Sequence, residues 1–203
     1  MTPHATGLAD GYSDVPAGKI AAVVTALEMT ARPPARAEPE NRGWSLRAVA
    51  TPDVAWYRDL FRRVGGDWLW FSRLRMSDAR LREIIQHPQV EIFALVAEGA
   101  DEGLLELDFR VAGECELGFF GLTRRMLGQG AGRFLMNRAI AQAWSRPIAR
   151  FWVHTCTLDH QAAPAFYQRS GFRAFRRQIE IADDPRLAGL LPRDAAPHIP
   201  LIE

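Results

Sequence analysis

Leu127-Gly-Gln-Gly-Ala-Gly-Arg-Phe-Leu-Met136 follows an apolar run, Cys115 to Leu122, that reads as a β-strand. A strand that enters a glycine-rich turn and then a helix aims free backbone N–H groups at whatever lies above the turn. The helix dipole adds partial positive charge there, so the place suits a pyrophosphate. Gly128, Gly130 and Gly132 fit that use because a Cβ would hold a phosphate away from the backbone. Further on, Phe151-Trp-Val-His-Thr-Cys-Thr-Leu-Asp-His-Gln-Ala-Ala-Pro-Ala-Phe-Tyr-Gln-Arg-Ser-Gly-Phe172 reads as a strand, a cap, a short helix carrying Phe166 and Tyr167, and a Gly171-Phe172 stop. Three carboxylates, Glu106, Asp108 and Glu116, lie in the strand-like runs before the turn. Glu106 and Asp108 alternate onto one strand face.

The two segments, in this order, resemble the GNAT superfamily of acyl-CoA-dependent N-acetyltransferases over roughly residues 44 to 180. The wording from His154 to His160 looks like a bacterial subgroup often labelled histone-acetyltransferase-like, a label that says little about substrate. The resemblance implies that the strand ending at Leu122 and the strand at 150 to 155 splay apart. The pantetheine arm of acetyl-CoA would lie in the gap, against Phe120, Gly121 and Leu122. Its pyrophosphate would sit on the turn formed by Leu127, Gly128, Gln129, Gly130, Ala131, Gly132 and Arg133. The family turn is commonly Gln/Arg-x-x-Gly-x-Gly, and two registers fit. One starts at Arg125. The other aligns Gly130-Ala-Gly132 with the helix start and leaves Leu127 at the polar position; it is preferred because it also sets the helix.

An amine acceptor of pKa ~10.4 must lose a proton before it attacks a thioester. Glu116 stands fourteen residues before Gly130, where many members of the family keep a glutamate base; the alternative is a solvated strand glutamate. Tyr167 matches the tyrosine that protonates the departing CoA thiolate. His160 stands where the family often has Asn beside the CoA arm, and a plain helix-cap neighbour fits it equally. His154 reads as a packed histidine. Glu106 and Asp108 are candidates to hold a cationic acceptor. Trp68 and Trp70, with Trp56 and Phe71, border the expected acceptor site, and core or dimer packing is their alternative. Arg73 is a candidate for pairing a substrate carboxylate. The expected activity is acetyl transfer from acetyl-CoA to a primary amine in a ternary complex. The alternative is a non-catalytic acyl-CoA-binding module that regulates a partner. A Rossmann dinucleotide site fits poorly, since its fingerprint belongs on the first strand with an acid further on.

Composition narrows the classes. With net charge +1 the chain has no basic field for nucleic acid. Its positive charge is almost all arginine, Lys19 being the only lysine. Cys115 and Cys156, the only cysteines, sit in apolar runs without metal-ligand spacing. No metal is expected. Met1 to Thr6 lacks the features of a signal peptide and no apolar stretch approaches a membrane span. A cytoplasmic protein without membrane or nucleic-acid partners is expected, with a homodimer left open.

The elements that must position these groups follow from periodicity. Residues 1 to 43 read as an extension in which Lys19 to Met29 is a strand or an Ala-rich helix, followed by a Pro-punctuated linker. Residues 44 to 181 read as the acetyltransferase domain. Its first strand runs Trp44 to Ala50, and its first helix from Pro52 to Arg63 with Trp56, Leu60 and Phe61 inward. A second helix, capped by Ser77, runs Asp78 to Gln86. Strands at Val90 to Ala97, Gly103 to Val111 and Cys115 to Leu122 are close enough for antiparallel hairpins. Helix Gly130 to Ser145, strand Arg150 to Thr155, helix Ala162 to Ser170 and strand Phe172 to Ile181 complete it. Residues 182 to 203 read as a Pro-rich tail. The expected fold class is α/β, a mixed and mostly antiparallel central sheet flanked by helices.

Overall fold

The computed structural model describes residues 10–40 and 42–203. The reading of Met1 to Thr6 lies outside the described residues. Among the described residues seven strands form one sheet: β1 (Lys19–Met29), β2 (Ser45–Ala48), β3 (Val90–Ala97), β4 (Ala100–Asp108), β5 (Glu114–Leu122), β6 (Arg150–Cys156) and β7 (Arg173–Asp183), in the spatial order β2-β3-β4-β5-β6-β1-β7. Only β5 and β6 are parallel; the other neighbours are antiparallel. The expected mixed sheet is therefore present. Among the described residues four α-helices flank it: α1 (Val54–Gly65), α2 (Asp78–Ile85), α3 (Ala131–Ala143) and α4 (Ala163–Arg169).

Residues 1 to 43 read as an extension that could carry a strand at Lys19 to Met29; β1 covers those residues and is an interior strand of the same sheet, paired with β6 on one edge and β7 on the other. Its Ala-rich composition permits a helix, but two antiparallel neighbours satisfy both rows of its backbone groups. β6 and β7 therefore run parallel with β1 between them, and α4 makes the crossover. The following linker is also docked. Asn137 on α3 donates to the Arg36 carbonyl at 3.2 Å, and Arg138 pairs with Glu38 at 3.0 Å.

Two apolar clusters lie on opposite faces of the sheet. One gathers Leu105, Leu107, Cys115 and Leu117 under Phe134, Leu135 and Ala139 of α3. The other gathers Leu104, Ala94 and Ile92 under α1 and α2. Asp53 caps α1, accepting from the amides of Ala55 and Trp56. Tyr57, Leu60, Phe61 and Val64 then fall at helical spacing on one buried stripe. Each such aliphatic or Phe side chain contributes on the order of 1.5–3 kcal/mol by burial. Trp56, expected inward, is only half-buried and donates its indole N–H to Asp101 at 2.8 Å. Tyr57 holds the inward position instead.

The C-terminal segment has no regular element after β7 but is packed down. Leu191 and Ala196 are buried in the α1-side cluster. Arg186 is buried against Asp184 and also donates to the carbonyls of Ala195 and Ile199. Among the described residues no helix is long and apolar enough to cross a membrane, and no group of three or more His, Cys, Asp or Glu could hold a metal ion.

Candidate functional site

The β5–β6 ladder is short. Its pairs run from Glu114 with Arg150 to Glu116 with Trp152 and stop there, while β5 continues to Leu122 and β6 to Cys156. Past Glu116 the two strands part, leaving backbone groups of β5 without a strand neighbour on that side. A register shift between Glu106 and Leu107 leaves Gly118 as an extra residue in β5. Such a bulge re-aims the side chains that follow. Leu117 packs in the α3-side cluster, Phe119 against the α1 side, and Phe120 back toward α3.

A cleft of about 630 Å³ fills the gap. Its walls include Phe120, Gly121, Leu122, Leu127, Gly128, Gly132, His160 and Tyr167, and further along Trp68, Trp70, Arg73, Glu106, Asp108 and Glu116. Gln129, Gly130, Ala131 and Arg133 do not line it. Gly130 caps α3 with φ +91°, a left-handed conformation that favours glycine. Among the described residues, no backbone hydrogen bond comes from the amides of Gly128, Gln129 or Gly130. The Gln129 side chain folds back onto the Arg125 carbonyl at 2.5 Å. Arg125 itself pairs with Glu98 and Glu102, so its charge is engaged away from the turn. Gly130 opens the helix.

The wall opposite the turn is aromatic. Trp70 donates its indole N–H to Asp159 at 3.0 Å across the cleft. Asp159 also accepts from the Thr155 hydroxyl at 2.7 Å and the Cys156 amide at 2.9 Å, which fixes the end of β6. Gly121 makes this packing possible: a Cβ there would lie 2.4 Å from Val64 Cγ1 and 3.0 Å from the Trp70 ring. Trp68 packs edge-on to His160, with ring centres 5.2 Å apart. His160 Nδ1 accepts from the Ala162 amide at 3.1 Å, so the neutral ring carries its proton on Nε2. Tyr167 is buried among Phe120, Phe166 and Phe172. No hydrogen bond to its hydroxyl is found among the described residues, and burial first, then Asp159, raise its pKa.

The carboxylates divide by partner. Glu106 is fully buried, accepts from the Tyr57 hydroxyl at 2.5 Å and pairs with Arg73. Burial and then Glu106 push the Tyr57 pKa well up; burial opposes the Arg73 charge, but Glu106 and Tyr57 outweigh it and raise its pKa. Arg73 also lies over the Phe119 ring, 5.0 Å from its centre. Asp108 is gripped by the amide and guanidinium of Arg110, which outweigh burial and lower its pKa. Glu106 and Asp108, the candidates to hold a cationic acceptor, each hold an arginine in this structure, and Arg73, the candidate for a substrate carboxylate, is held by Glu106.

Glu116 differs. It is partly open to the cleft, and its Oε1 lies 3.6 Å from His154 Nδ1. Contact with Glu116 raises the His154 pKa against the effect of burial. His154, read from the sequence as packed, is about half-exposed and lines the cleft. Sequence reasoning also passed over Asp159 and Glu180 as cleft components, and over Tyr57 as the buried partner of Glu106. Tyr57 was within reach of the helical spacing that placed Leu60; Asp159 and Glu180 carry no local signal. Cys115 and Cys156 are free thiols. Burial, and then neighbouring acids, push the Cys156 thiol up to about 11 and Cys115 further, so neither is poised as a nucleophile.

The family model for the GNAT acetyltransferases matches residues 66–172, more than half of the chain. Several solved structures share the fold. A GCN5-related N-acetyltransferase from Sphaerobacter thermophilus aligns with TM-score 0.55 at 19% identity, over 83% of this chain and 53% of that one. The ribosomal-protein-S18-alanine N-acetyltransferase of Escherichia coli gives 0.53 at 19% identity, over 68% and 90%. An aminoglycoside acetyltransferase from an uncultured soil sample gives 0.54 at 16% identity, over 66% and 94%. The chain spans only about half the length of the Sphaerobacter protein. No curated protein matches the sequence.

Proposed function

This chain belongs to the GNAT acetyltransferase family, and we propose that it transfers an acetyl group from acetyl-CoA to a primary amine of a small molecule or protein by direct attack in a ternary complex. The observation that carries the reading is the parting of β5 and β6 beyond the Glu116–Trp152 pair, with the glycine turn at one end of the gap and Glu116 at the other. A thioester arm laid along β5 finds backbone partners there, and the α3 N-terminus with its free amides suits the pyrophosphate. Of the three carboxylates Glu106, Asp108 and Glu116, only Glu116 has no arginine partner among the described residues; Asp108 and Glu106 are held by Arg110 and Arg73.

In this reading the amine binds as the free base or gives its proton to Glu116. Its nitrogen attacks the thioester carbon, and the tetrahedral intermediate collapses with cleavage of the C–S bond. The departing thiolate takes the Tyr167 hydroxyl proton, and the second proton, shed by the nitrogen as the amide forms, restores the Tyr167 hydroxyl. Burial raises the Tyr167 pKa, which keeps the hydroxyl protonated and makes it a weaker acid, so it gives up its proton only once negative charge has developed on the sulfur. His154 receives the proton from Glu116 and passes it to solvent on the exposed side of β6. The protein is read as cytoplasmic, needing no metal.

The test is release of free CoA thiol from acetyl-CoA by the purified chain. The acceptors span lysine peptides, polyamines, amino acids, aminoglycosides and N-terminal alanine peptides. Transfer to at least one primary amine, dependent on Glu116, is expected. Tight acetyl-CoA binding with no transfer to any class would favour a non-catalytic acyl-CoA-binding module instead.

A further inference from the structure

The two edges of the sheet are unequal. β2 is four residues long, whereas β7 is eleven and its outer side has no strand neighbour among the described residues. From Arg173 to Glu180 every residue of β7 is exposed. Four of the large exposed hydrophobics gather on this border: Val23 of β1 and Phe175, Ile179 and Ile181 of β7. Val23 lies directly beside Ile179 in the ladder and Ile181 shares their face, so these three side chains form one patch, while the Phe175 ring lies against Arg150. The strand has neither proline nor lysine to discourage pairing. A long edge of this kind is a template for a further strand.

The order of charges on β7 selects the occupant. Its regular ladder with β1 begins at Arg176, just after the bulged Phe175. From there it reads Arg176-Arg-Gln-Ile-Glu180. An antiparallel copy related by a two-fold axis at Gln178 places Arg176 opposite Glu180 twice, once on each side of the axis. Opposite charges directly across an antiparallel pair stabilise it. Shifting the axis to Arg177 or to Ile179 loses both pairs, and Arg176 or Glu180 then faces Gln178. The same axis sets the two Ile179 side chains diagonally across from each other, with Val23 of each copy beside them. Neither Arg177 nor Glu180 has a hydrogen-bond or ion-pair partner among the described residues, and Arg176 bonds only Gln178 two residues on.

We propose that β7 pairs with β7 of a second copy of this chain, antiparallel about Gln178, so that the seven-stranded sheet continues across a two-fold axis. An isologous contact of this kind closes on itself and consumes the exposed edge of both copies. It reaches the cleft as well. Glu180 lies on its wall, on the strand face that carries His154 on β6. The partner's Arg176 therefore stands at the rim of each cleft, opposite Glu180.

Charge reversal tests this without presupposing the enzymatic reading. Sedimentation equilibrium of the whole chain should give a dimer. Arg176→Glu creates two facing acidic pairs and Glu180→Arg two facing basic pairs. Each should raise the dimer dissociation constant at least about tenfold. The double variant Arg176→Glu/Glu180→Arg re-creates both opposite-charge pairs with their ends exchanged and should return the constant to near its starting value. Circular dichroism checks that each variant is folded. If a reversal unfolds the chain, Arg176→Gln and Glu180→Gln replace it: each should weaken the dimer, and their combination should not restore it. A wild-type monomer at micromolar concentration overturns the proposal, whatever else covers the edge. So does a dimer indifferent to the single reversals, which must use another face, and so does a double variant no tighter than the singles.

Discussion

Glu116 and His154 face each other where β5 and β6 begin to part, with Oε1 of one 3.6 Å from Nδ1 of the other. The charged pair forms only when the imidazole is protonated. Contact with the carboxylate raises the His154 pKa above its ordinary value, against the opposing effect of burial. The stabilisation from the pair is thus fully present below the unfolded pKa of about 6.5 and fades as pH rises through the higher folded value.

A pH dependence of activity follows. Below the raised His154 pKa, the imidazolium holds Glu116 in an ion pair and weakens it as a base. His154→Gln should therefore move the acid limb of kcat/KM to lower pH. It should also lower Tm relative to the parent at pH 5.5 while leaving it nearly unchanged above pH 8. An acid limb that stays in place would remove His154 from the proton path.

Glu116→Gln keeps the size of the side chain and removes its basicity. Turnover should fall most near neutral pH and recover in part at high pH, where free amine is plentiful. A constant ratio to the parent from pH 7 to pH 10 would show that another group takes the proton.

Tyr167→Phe leaves the ring packed against Phe120 and Phe172 and removes only the hydroxyl. Stability and CoA affinity should persist while turnover drops about 10²-fold, the mark of an interaction made mainly in the transition state. Equal rates in a single-turnover assay would defeat the acid role.

Gly132→Asp probes the anion turn. Gly132 lies on the cleft in the first turn of α3, with ordinary van der Waals room for a Cβ, 3.8 Å from Leu122 and Phe166. An Asp in a first helical turn does not harm the helix, but its charge would face the pyrophosphate. CoA affinity by calorimetry should fall by at least about tenfold with Tm preserved. Gly130 is a poorer probe, because a side chain there meets Pro39 at 3.2 Å and must adopt φ +91°.

Tyr57→Phe removes a hydrogen bond to the buried Glu106 carboxylate. Bonds to charged groups contribute about 1.5–3 kcal/mol, and the loss should appear in denaturant unfolding. An unchanged midpoint would mean that Arg73 alone satisfies Glu106.

Local signals in the chain were enough for the strand-turn-helix at Leu122 to Met136, the helix carrying Tyr167 and the alternation that set the central hairpins. Glycine spacing, capping residues and periodicities of two and 3.6 act over a few residues, so a linear reading detects them. Glu116 was reached through the family resemblance, which implies a base fourteen residues before the turn, and a solvated strand glutamate was its alternative. Partners far apart in the chain stayed hidden. Whether Lys19 to Met29 is helix or strand depended on β6 and β7, more than a hundred residues away, which offer both edges of a sheet. Glu106 looked as available as Glu116 until folding brought Tyr57 and Arg73 onto it. A buried carboxylate is tolerated only with such partners; an exposed one is free to act. Only the tertiary structure decided which acids are spent on arginines, where β5 and β6 separate and which strand is left at the border of the sheet, because each is set by pairing between distant segments rather than by any residue's own preference.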